Sequence, residues 1–274
     1  MIHEGKEKIL ISWRGGFCGR SAKSPLLALM LTLFLLSPFC SGSAKAAERK
    51  IPFFPGEKLT YEGKWGVIPA GEVTLEVLPK ETINGVEAYH FVMTTKTNSA
   101  VDLVYKIRER QDSFVDTAMT HSILYKKRTE SKYPRDIVVT FDWEKQEATH
   151  TNFGEKSPPI HILPGSFDPL ALIFMLRLQD LKEGSVIRIP VTDGHMNIDV
   201  NATVIKRDDI NVQNKTYSVF EVTPDMEKLE NVVKKSEKPQ LKIWYTADER
   251  KIPLRINSKA GFVSFVFELF SSSL

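Results

Sequence analysis

FPGEKLTYEGKWGVIPAGEVTLEV, residues 54–77, alternates apolar and polar side chains in two runs, on either side of Pro-Ala-Gly at residues 69–71. A period of two with apolar residues on one side is typical of a half-buried β-strand. The stretch therefore predicts a β-hairpin with one apolar face, which covers either the protein's own core or a bound ligand. The apolar positions are Leu59, Tyr61, Trp65, Val67, Val73, Leu75 and Val77.

Similar patterns recur along the rest of the chain and predict about twelve strands. Asn84-Gly85 and Asp193-Gly194 are two-residue hairpin signals, and Lys206–Asp209 predicts a third, charged hairpin end. Strands at this even spacing indicate a mainly β fold, either one strongly curved antiparallel sheet or a β-barrel or half-barrel. The predicted strands after the first hairpin are residues 86–97, 103–115, 120–129, 137–143, 147–153, 186–191, 195–206, 216–222, 241–246, 253–259 and 262–270.

One segment, residues 166–180, predicts a helix instead. Asp168 suits the N-cap, Pro169 the first helical position, and Gly184 the far end. The segment is apolar nearly all round, so we expect a buried helix against the concave face of the sheet.

The beginning of the chain has the features of a secretory signal peptide. Basic residues precede an apolar run of about 14 residues, 26–39, and Ala44-Lys45-Ala46 follows it as a cleavage motif. The run is shorter than the ~20 residues of a spanning helix. We expect cleavage after residue 46, export to a bacterial periplasm, and one β-rich domain over residues 47–274. A retained membrane anchor and a lipoprotein modified at Cys40 are the alternatives.

Cleavage would change the composition of the working protein. Both cysteines, Cys18 and Cys40, lie in residues 1–46, so a mature chain has no disulfide and no thiolate site. The leader also holds six of the 37 basic and two of the 34 acidic residues, which leaves 31 basic and 32 acidic residues. This nearly neutral balance predicts that the protein does not bind nucleic acid by bulk charge. A cleaved chain is also expected not to span a membrane.

The sequence contains no recognised catalytic, cofactor or metal motif. His90, His121, His150, His161 and His195 form no H-E-x-x-H or other close metal pair. We expect His90 to be hydrogen-bonded internally and His195 to be a solvated turn residue. No G-x-S-x-G elbow and no phosphate-binding glycine loop occurs. The chain is therefore predicted to be non-enzymatic, without cofactor or metal.

Aromatic residues on the predicted strands and helix are the best candidates for ligand contacts. Each of them is individually more typical of a packed core, but together they could line a cavity for an apolar ligand. The last strand, 262–270, is apolar on both parities and so needs cover on both faces. Mixed charges over Asp225–Lys235 predict a solvated loop or lid. The predicted ligand-binding residues are Tyr61, Trp65, Phe91, Phe174 and Trp244.

Several motifs together resemble one exported bacterial family, Domain of Unknown Function 3108. They are GEKLTY at residues 56–61, the Pro-Ala-Gly turn, FDP at residues 167–169, and the segment from Ile243-Trp244 to Pro253. The resemblance covers most of the predicted mature chain. It implies an envelope location and a β-rich fold, and it brings no activity and no catalytic residues.

These observations favour a non-enzymatic cell-envelope protein that binds a lipid or other apolar molecule in the concave face of its sheet. The alternative is a structural or assembly factor that acts through surface contacts with an envelope protein. A hydrolase with a dispersed carboxylate site is a third and weaker hypothesis.

Overall fold

The computed structural model describes residues 50–225, 240–260 and 263–273. The chain divides into two units, Met1–Glu48 and Arg49–Leu274, and all described residues belong to the second. The predicted leader lies outside the described residues, so its removal and the domain boundary stay predictions. Most of the predicted lid over Asp225–Lys235 is also outside them.

Fifteen strands and two short helices make up the described unit, which confirms the mainly β prediction. The strands are β1 (Lys58–Trp65), β2 (Ile68–Ile83), β3 (Val86–Thr97), β4 (Arg108–Asp116), β5 (Ser122–Glu130), β6 (Arg135–Asp142), β7 (Glu147–Asn152), β8 (Glu155–Lys156), β9 (Ile160–His161), β10 (Val186–Thr192), β11 (Asn197–Val212), β12 (Lys215–Pro224), β13 (Gln240–Thr246), β14 (Pro253–Ala260) and β15 (Val263–Ser273). The helices are α1 (Ser99–Asp102) and α2 (Ala171–Arg177).

All fifteen strands join one antiparallel sheet that does not close. Its order is β10-β11-β12-β13-β14-β15-β1-β2-β3-β4-β5-β6-β7-β8, with β9 paired to β7. The first and last strands are therefore neighbours in the middle of the sheet, and β10 and β8 end it. A Cβ added to Gly194, in the β10–β11 turn, would lie 2.9 Å from His150 Cβ on β7. Strands near opposite ends of the sheet order thus come into contact, which shows that the sheet is strongly curved.

Helix α2 lies in the hydrophobic core, as predicted, but it is shorter than the predicted helix. Only the seven residues Ala171–Arg177 are helical, and six of them are buried. The N-cap is Leu170 and the first helical residue is Ala171, so the predicted positions of Asp168 and Pro169 were wrong by two residues. The Asp168 side chain still accepts hydrogen bonds from the backbone N–H groups of Leu170 and Ala171, each at 3.0 Å. The helix ends at Arg177, with Leu178 as its C-cap, and Gly184 lies well past its end.

Two segments that the sequence predicted as turns are parts of strands in the structure. The first hairpin turns at Gly66, which has a φ of +60°, and the Pro-Ala-Gly segment is part of β2. A register shift between Gly63 and Lys64 absorbs the extra residue. Lys206–Asp209 is not a hairpin end: β11 continues through it to Val212, because these charged residues occupy an exposed part of the strand.

The predicted strand 103–115 was also wrong in its first part. Residues 99–102 form α1, whose N-terminus is capped by Asn98, and β4 begins only at Arg108.

The last strand, β15, lies between β14 and β1, and residues 264–269 are each half-buried. The two-sided apolar pattern therefore corresponds to partial cover on both faces.

A buried ion pair joins α2 to the chain just before β1. Arg177 donates to Glu57 through Nη1 to Oε1 at 2.5 Å and through Nη2 to Oε2 at 3.0 Å, and both side chains are within 1% of complete burial. Arg177 also donates to the carbonyl oxygens of Pro52 and Arg250, each at 3.1 Å. The guanidinium is thus hydrogen-bonded on several sides, as a buried charge requires.

Replacing Arg177 with Met should lower the free energy of unfolding by about 3–5 kcal/mol, because it leaves the Glu57 carboxylate buried without its partner. Urea unfolding of the folded protein measures this. Lys206→Met, which removes one partner of the exposed Lys206–Asp208 pair, is the control and should change stability by no more than about 0.5 kcal/mol. The double variant Glu57→Gln/Arg177→Met should recover part of the stability that Arg177→Met loses. If the double variant loses as much stability as Glu57→Gln and Arg177→Met lose together, the account is contradicted.

Candidate functional site

The five residues that the sequence singled out do not surround one cavity. Tyr61, Phe91 and Phe174 are within 1% of complete burial, and the rings of Phe91 and Phe174 stack with centroids 3.9 Å apart. Trp65 is 53% exposed at the tip of the first hairpin, and Trp244 is half-buried. A ligand contact for these five residues stays a prediction.

Burial sets the chemistry of the Tyr61 hydroxyl. It donates to the Pro253 carbonyl at 2.7 Å, and burial raises the pKa of the Tyr61 hydroxyl well above its usual range. Tyr61 also contributes to a cleft of about 340 Å³ on β1–β3, whose other lining residues include Thr60, Glu72 and Lys96.

A larger cleft of about 630 Å³ lies over β4–β7, beside the start of α2 and the β10–β11 turn. Its size falls in the range of small-molecule sites, ~300–1,000 Å³. It is on the concave face, because Tyr125 lines it and is also part of the main hydrophobic core. The lining residues are Gln111, Tyr125, Lys127, Arg135, Ile137, His150, Asn152, Pro169, Asp193 and His195.

Strand register explains how residues far apart in sequence meet in this cleft. One row of directly opposed residues crosses the four strands and supplies side chains at the rim; it consists of Gln111, Lys127, Ile137 and Asn152. The next row on the same face is buried and forms the floor; it consists of Ser113, Tyr125, Val139 and His150. Each row follows from antiparallel pairing, in which alternate residues of a strand share one face.

The rim combines cations with hydrogen-bonding groups. Lys127 Nζ lies 3.1 Å from Glu109 Oε2, and the Tyr125 hydroxyl donates to Gln111 Oε1 at 2.8 Å. Arg135 forms no ion pair with any described residue, although it lines the cleft. A guanidinium without an acidic partner is well suited to bind a carboxylate or phosphate.

Two histidines from opposite sides of the cleft are in contact. The rings of His150 and His195 have centroids 3.8 Å apart and an interplanar angle of 35°. His150 is buried, and its Nδ1 has no hydrogen-bond partner in the described part of the chain. Burial, and then the nearby His195, lowers the pKa of His150, while Asp193 acts in the opposite direction. A buried nitrogen without a partner is a place where a polar atom of a ligand can be satisfied.

The hydroxyl groups and the buried carboxylate beside the cleft are hydrogen-bonded to one another. Across residues 50–225, 240–260 and 263–273, no group of three or more His, Cys, Asp or Glu side chains is arranged to hold a metal ion. The nearby Ser113 and Ser122 hydroxyls both donate to Asp168 Oδ2, each at 2.6 Å. Burial raises the pKa of Asp168, and these hydrogen bonds oppose that rise. Asp168 thus holds α2 against β4 and β5.

His90 is internally hydrogen-bonded, as predicted. On the outer face of the sheet, its Nδ1 lies 2.7 Å from Glu81 Oε1 and its Nε2 lies 2.8 Å from Asp112 Oδ1. Burial raises the pKa of Asp112, but hydrogen bonds from His90 and Arg110 outweigh it and lower the pKa. The polar groups of His90, Glu81, Asp112 and Arg110 are thus hydrogen-bonded to one another.

The motifs, the open antiparallel sheet and the embedded helix agree with one family. The family described as "Protein of unknown function (DUF3108)" matches residues 60–269, which is more than half of the 274 residues. The chain belongs to this family. The DUF3108 description names no activity and no site residues, so the cleft has to be interpreted from its own geometry.

One solved structure shares the fold of this DUF3108 chain. It is the crystal structure of a beta-barrel-like protein of Domain of Unknown Function DUF1849 from Brucella abortus. The two are 10% identical, the match covers 81% of this chain and 98% of that chain, and the TM-score is 0.54. At this identity the likeness concerns the fold alone. None of the curated proteins compared with the chain matches it.

The helices of the described residues are also informative about the membrane. Neither α1 nor α2 has the length and apolar character needed to cross a bilayer.

Stability should fall as the pH drops below about 6.5, the usual pKa of histidine. The lowered pKa of His150 means that the unfolded chain binds a proton in this window while the folded chain does not, so acid favours unfolding. The contribution is fully present above pH 6.5 and is lost toward the lower pKa of the folded state. Urea midpoints at pH 7.5 and 5.5 measure this, and His150→Gln should flatten the difference. An unchanged difference in that variant would show that other groups control the pH response.

Proposed function

We propose that this DUF3108 protein is a non-enzymatic binding protein of the cell envelope, and that its ligand is a lipid or another amphiphile with an acidic group. The ligand would lie in the cleft over β4–β7 on the concave face of the sheet. The observation that carries the proposal is the composition of this cleft, in which apolar side chains lie beside Lys127 and Arg135.

Apolar lining residues support an apolar part of the ligand. Tyr125, Ile137 and Pro169 line the cleft, and Tyr125 and Ile137 belong to or pack against the main hydrophobic core. Transfer of each ligand CH₂ from water to such a surface contributes roughly 0.8 kcal/mol. A chain of several methylene groups would therefore bind without any special polar contact.

The rim supports an acidic part of the ligand. Arg135 presents a guanidinium that no described residue pairs, and the Nδ1 of His150 also has no partner there. A carboxylate or phosphate would accept hydrogen bonds from the Arg135 guanidinium, and from the His150 ring in the tautomer that carries its proton on Nδ1. Charge-assisted hydrogen bonds to Arg135 are stronger than neutral ones.

An envelope location is the part of the proposal that rests on sequence. It is supported by the basic, apolar and small-residue order of residues 1–46, which is that of an exported protein. The non-enzymatic role is supported by the family description, which indicates no enzymatic activity, and by hydroxyls near the cleft that are engaged with Asp168.

Native mass spectrometry with organic extraction tests the proposal on protein produced from the full chain. A stoichiometric lipid-sized adduct is expected, and Ile137→Glu should abolish it by placing a charge on an apolar lining position of the cleft. Val138→Glu is the matched control, because Val138 is the next residue of β6 and faces the other side of the sheet. A clean mass with no uptake of added fatty acid or phospholipid would exclude ligand binding at this cleft.

Acidic-group recognition has a separate measurement. In titrations with a fatty acid, Lys127→Gln/Arg135→Gln should weaken binding by about tenfold, the equivalent of ~1.4 kcal/mol. The charge-matched control is Lys206→Gln/Arg207→Gln, on the exposed part of β11. Equal binding of a fatty acid and its neutral methyl ester would contradict this part of the proposal.

An assembly factor that acts through protein contacts is the second candidate, and the open sheet favours it. Residues 186–189 of edge strand β10 pair only with β11 in the described structure. An unpaired edge can accept a strand from another protein. Arg188→Pro would block such pairing, and loss of an envelope partner with full retention of ligand binding would favour this candidate.

A further inference from the structure

The exposed large apolar side chains are concentrated at one end of the sheet. Strands β1 to β8 are consecutive antiparallel neighbours, so the connections between them alternate between the two ends of the sheet. The β1–β2, β3–β4, β5–β6 and β7–β8 connections therefore lie at the same end. These four connections carry eight of the fourteen exposed large apolar side chains found among the described residues. We call these eight the tip surface: Trp65, Val67, Ile68, Leu103, Val104, Tyr105, Tyr133 and Phe153.

The opposite end of the same strands is different. The β2–β3, β4–β5 and β6–β7 connections together carry one exposed large apolar side chain, Val86. The asymmetry is therefore a property of one end of the sheet and not of its connections in general. Contiguous exposed apolar surface on one side of a protein usually marks an interaction site.

Hydrogen bonds hold neighbouring parts of the tip surface together. The Asn98 side chain, at the start of α1, donates to the Pro69 carbonyl at 2.6 Å, and its backbone N–H donates to the Ala70 carbonyl at 3.0 Å. The β3–β4 connection is thereby fixed to the first hairpin. Phe153 N–H donates to the Asp136 carbonyl at 2.9 Å, which fixes the β7–β8 connection to the start of β6.

The shape and residue types of the tip surface fit a bilayer better than a protein groove. Val67, Leu103 and Val104 are 92%, 89% and 88% exposed, so they project from the ends of the strands and do not line a groove. Trp65, Tyr105 and Tyr133 are of the type that concentrates at membrane–water interfaces. Projecting apolar side chains can enter a deformable lipid surface without a complementary pocket.

The charges at the tip surface favour anionic lipid. Lys106 and Lys132 lie in the β3–β4 and β5–β6 connections, and neither forms an ion pair with a described residue. Within the four connections the acidic residue is Asp102, and it is paired to Arg108. Glu130, Asp136 and Glu155 flank the connections on the strands and form no ion pair with a described residue, so the positive charge belongs to the connections themselves. Unpaired lysines beside apolar side chains are attracted to the negative surface of a bilayer.

We propose that the tip surface docks this protein onto the surface of an anionic bilayer, with the strand ends of β1–β7 directed at the lipid. The proposal stands apart from ligand binding, since it uses none of the cleft's lining residues. It does place the cleft favourably: Arg135 begins β6 and Asn152 ends β7 at this same end. An amphiphile leaving the bilayer would therefore have a short path to the cleft.

Vesicle flotation tests the proposal with protein produced from the full chain, after intact mass shows that residues 1–46 are absent. Wild-type protein should float with vesicles that contain phosphatidylglycerol and much less with pure phosphatidylcholine. Val67→Asp/Leu103→Asp/Val104→Asp should reduce partitioning by about tenfold or more, since buried charges oppose insertion. Lys106→Gln/Lys132→Gln should reduce mainly the preference for phosphatidylglycerol.

A matched triple variant controls for added charge. Val86→Asp/Val186→Asp/Phe270→Asp changes three exposed apolar residues outside the tip surface and should alter flotation by less than about twofold, the usual scale for changes away from an interface. Urea unfolding shows that both triple variants remain folded. An equal loss of flotation in the tip and control triple variants would overturn the proposal, and so would unchanged flotation of the tip variant.

A second readout follows Trp65 directly. In a Trp143→Phe/Trp244→Phe background, brominated lipid should quench Trp65 emission in phosphatidylglycerol vesicles. Absence of both quenching and flotation would overturn the proposal. In that case, loss of an envelope protein partner in the tip variant alone would assign the surface to protein docking.

Discussion

The buried Glu57–Arg177 ion pair is the constraint on which the rest of the structure depends. The two residues are 120 positions apart, yet their side chains form a bidentate contact with almost no exposure. Arg177 also reaches the Pro52 and Arg250 carbonyls and lies 5.4 Å from the Phe53 ring centroid. A charge in this environment is tolerated only when all of these partners are in place. The pair therefore sets the position of α2 against the strand β1 and against the turn before β14.

The position of α2 decides where the concave face is filled. With the helix seated by Arg177 at one end and by Asp168 at the other, Phe174 stacks on Phe91 and the face of β1–β3 is closed by aromatic packing. Phe53 adds edge contacts to this cluster, at 5.2 Å from Phe91 and 5.5 Å from Phe174. Open volume is consequently found over β4–β7, beyond the reach of the short helix. The fold thus separates a dry aromatic core from a cleft with a polar rim.

Much of the fold could be predicted from sequence, whereas little of the cleft could. Alternation identified nearly every strand, and the predicted range 86–97 coincides with β3. Alternation does not reveal which strands lie opposite each other, however. Lys127 and Ile137 look like ordinary residues of two strands, and only the register of the sheet brings them together at one rim. His150 and His195 gave no signal of their contact, because it arises from curvature of the whole sheet.

The sequence by itself determined the β class, the period of the strands and the buried helix. These properties depend on local steric preference and on the two periodicities of side chains, which neighbouring residues carry. Tertiary structure alone decided that the sheet stays open, that Tyr61, Phe91 and Phe174 become core, and that free space lies over β4–β7. It also collected the tip surface from four separate connections. The physical reason is that these outcomes depend on long-range pairing, burial and packing volume, which no single stretch of the chain specifies.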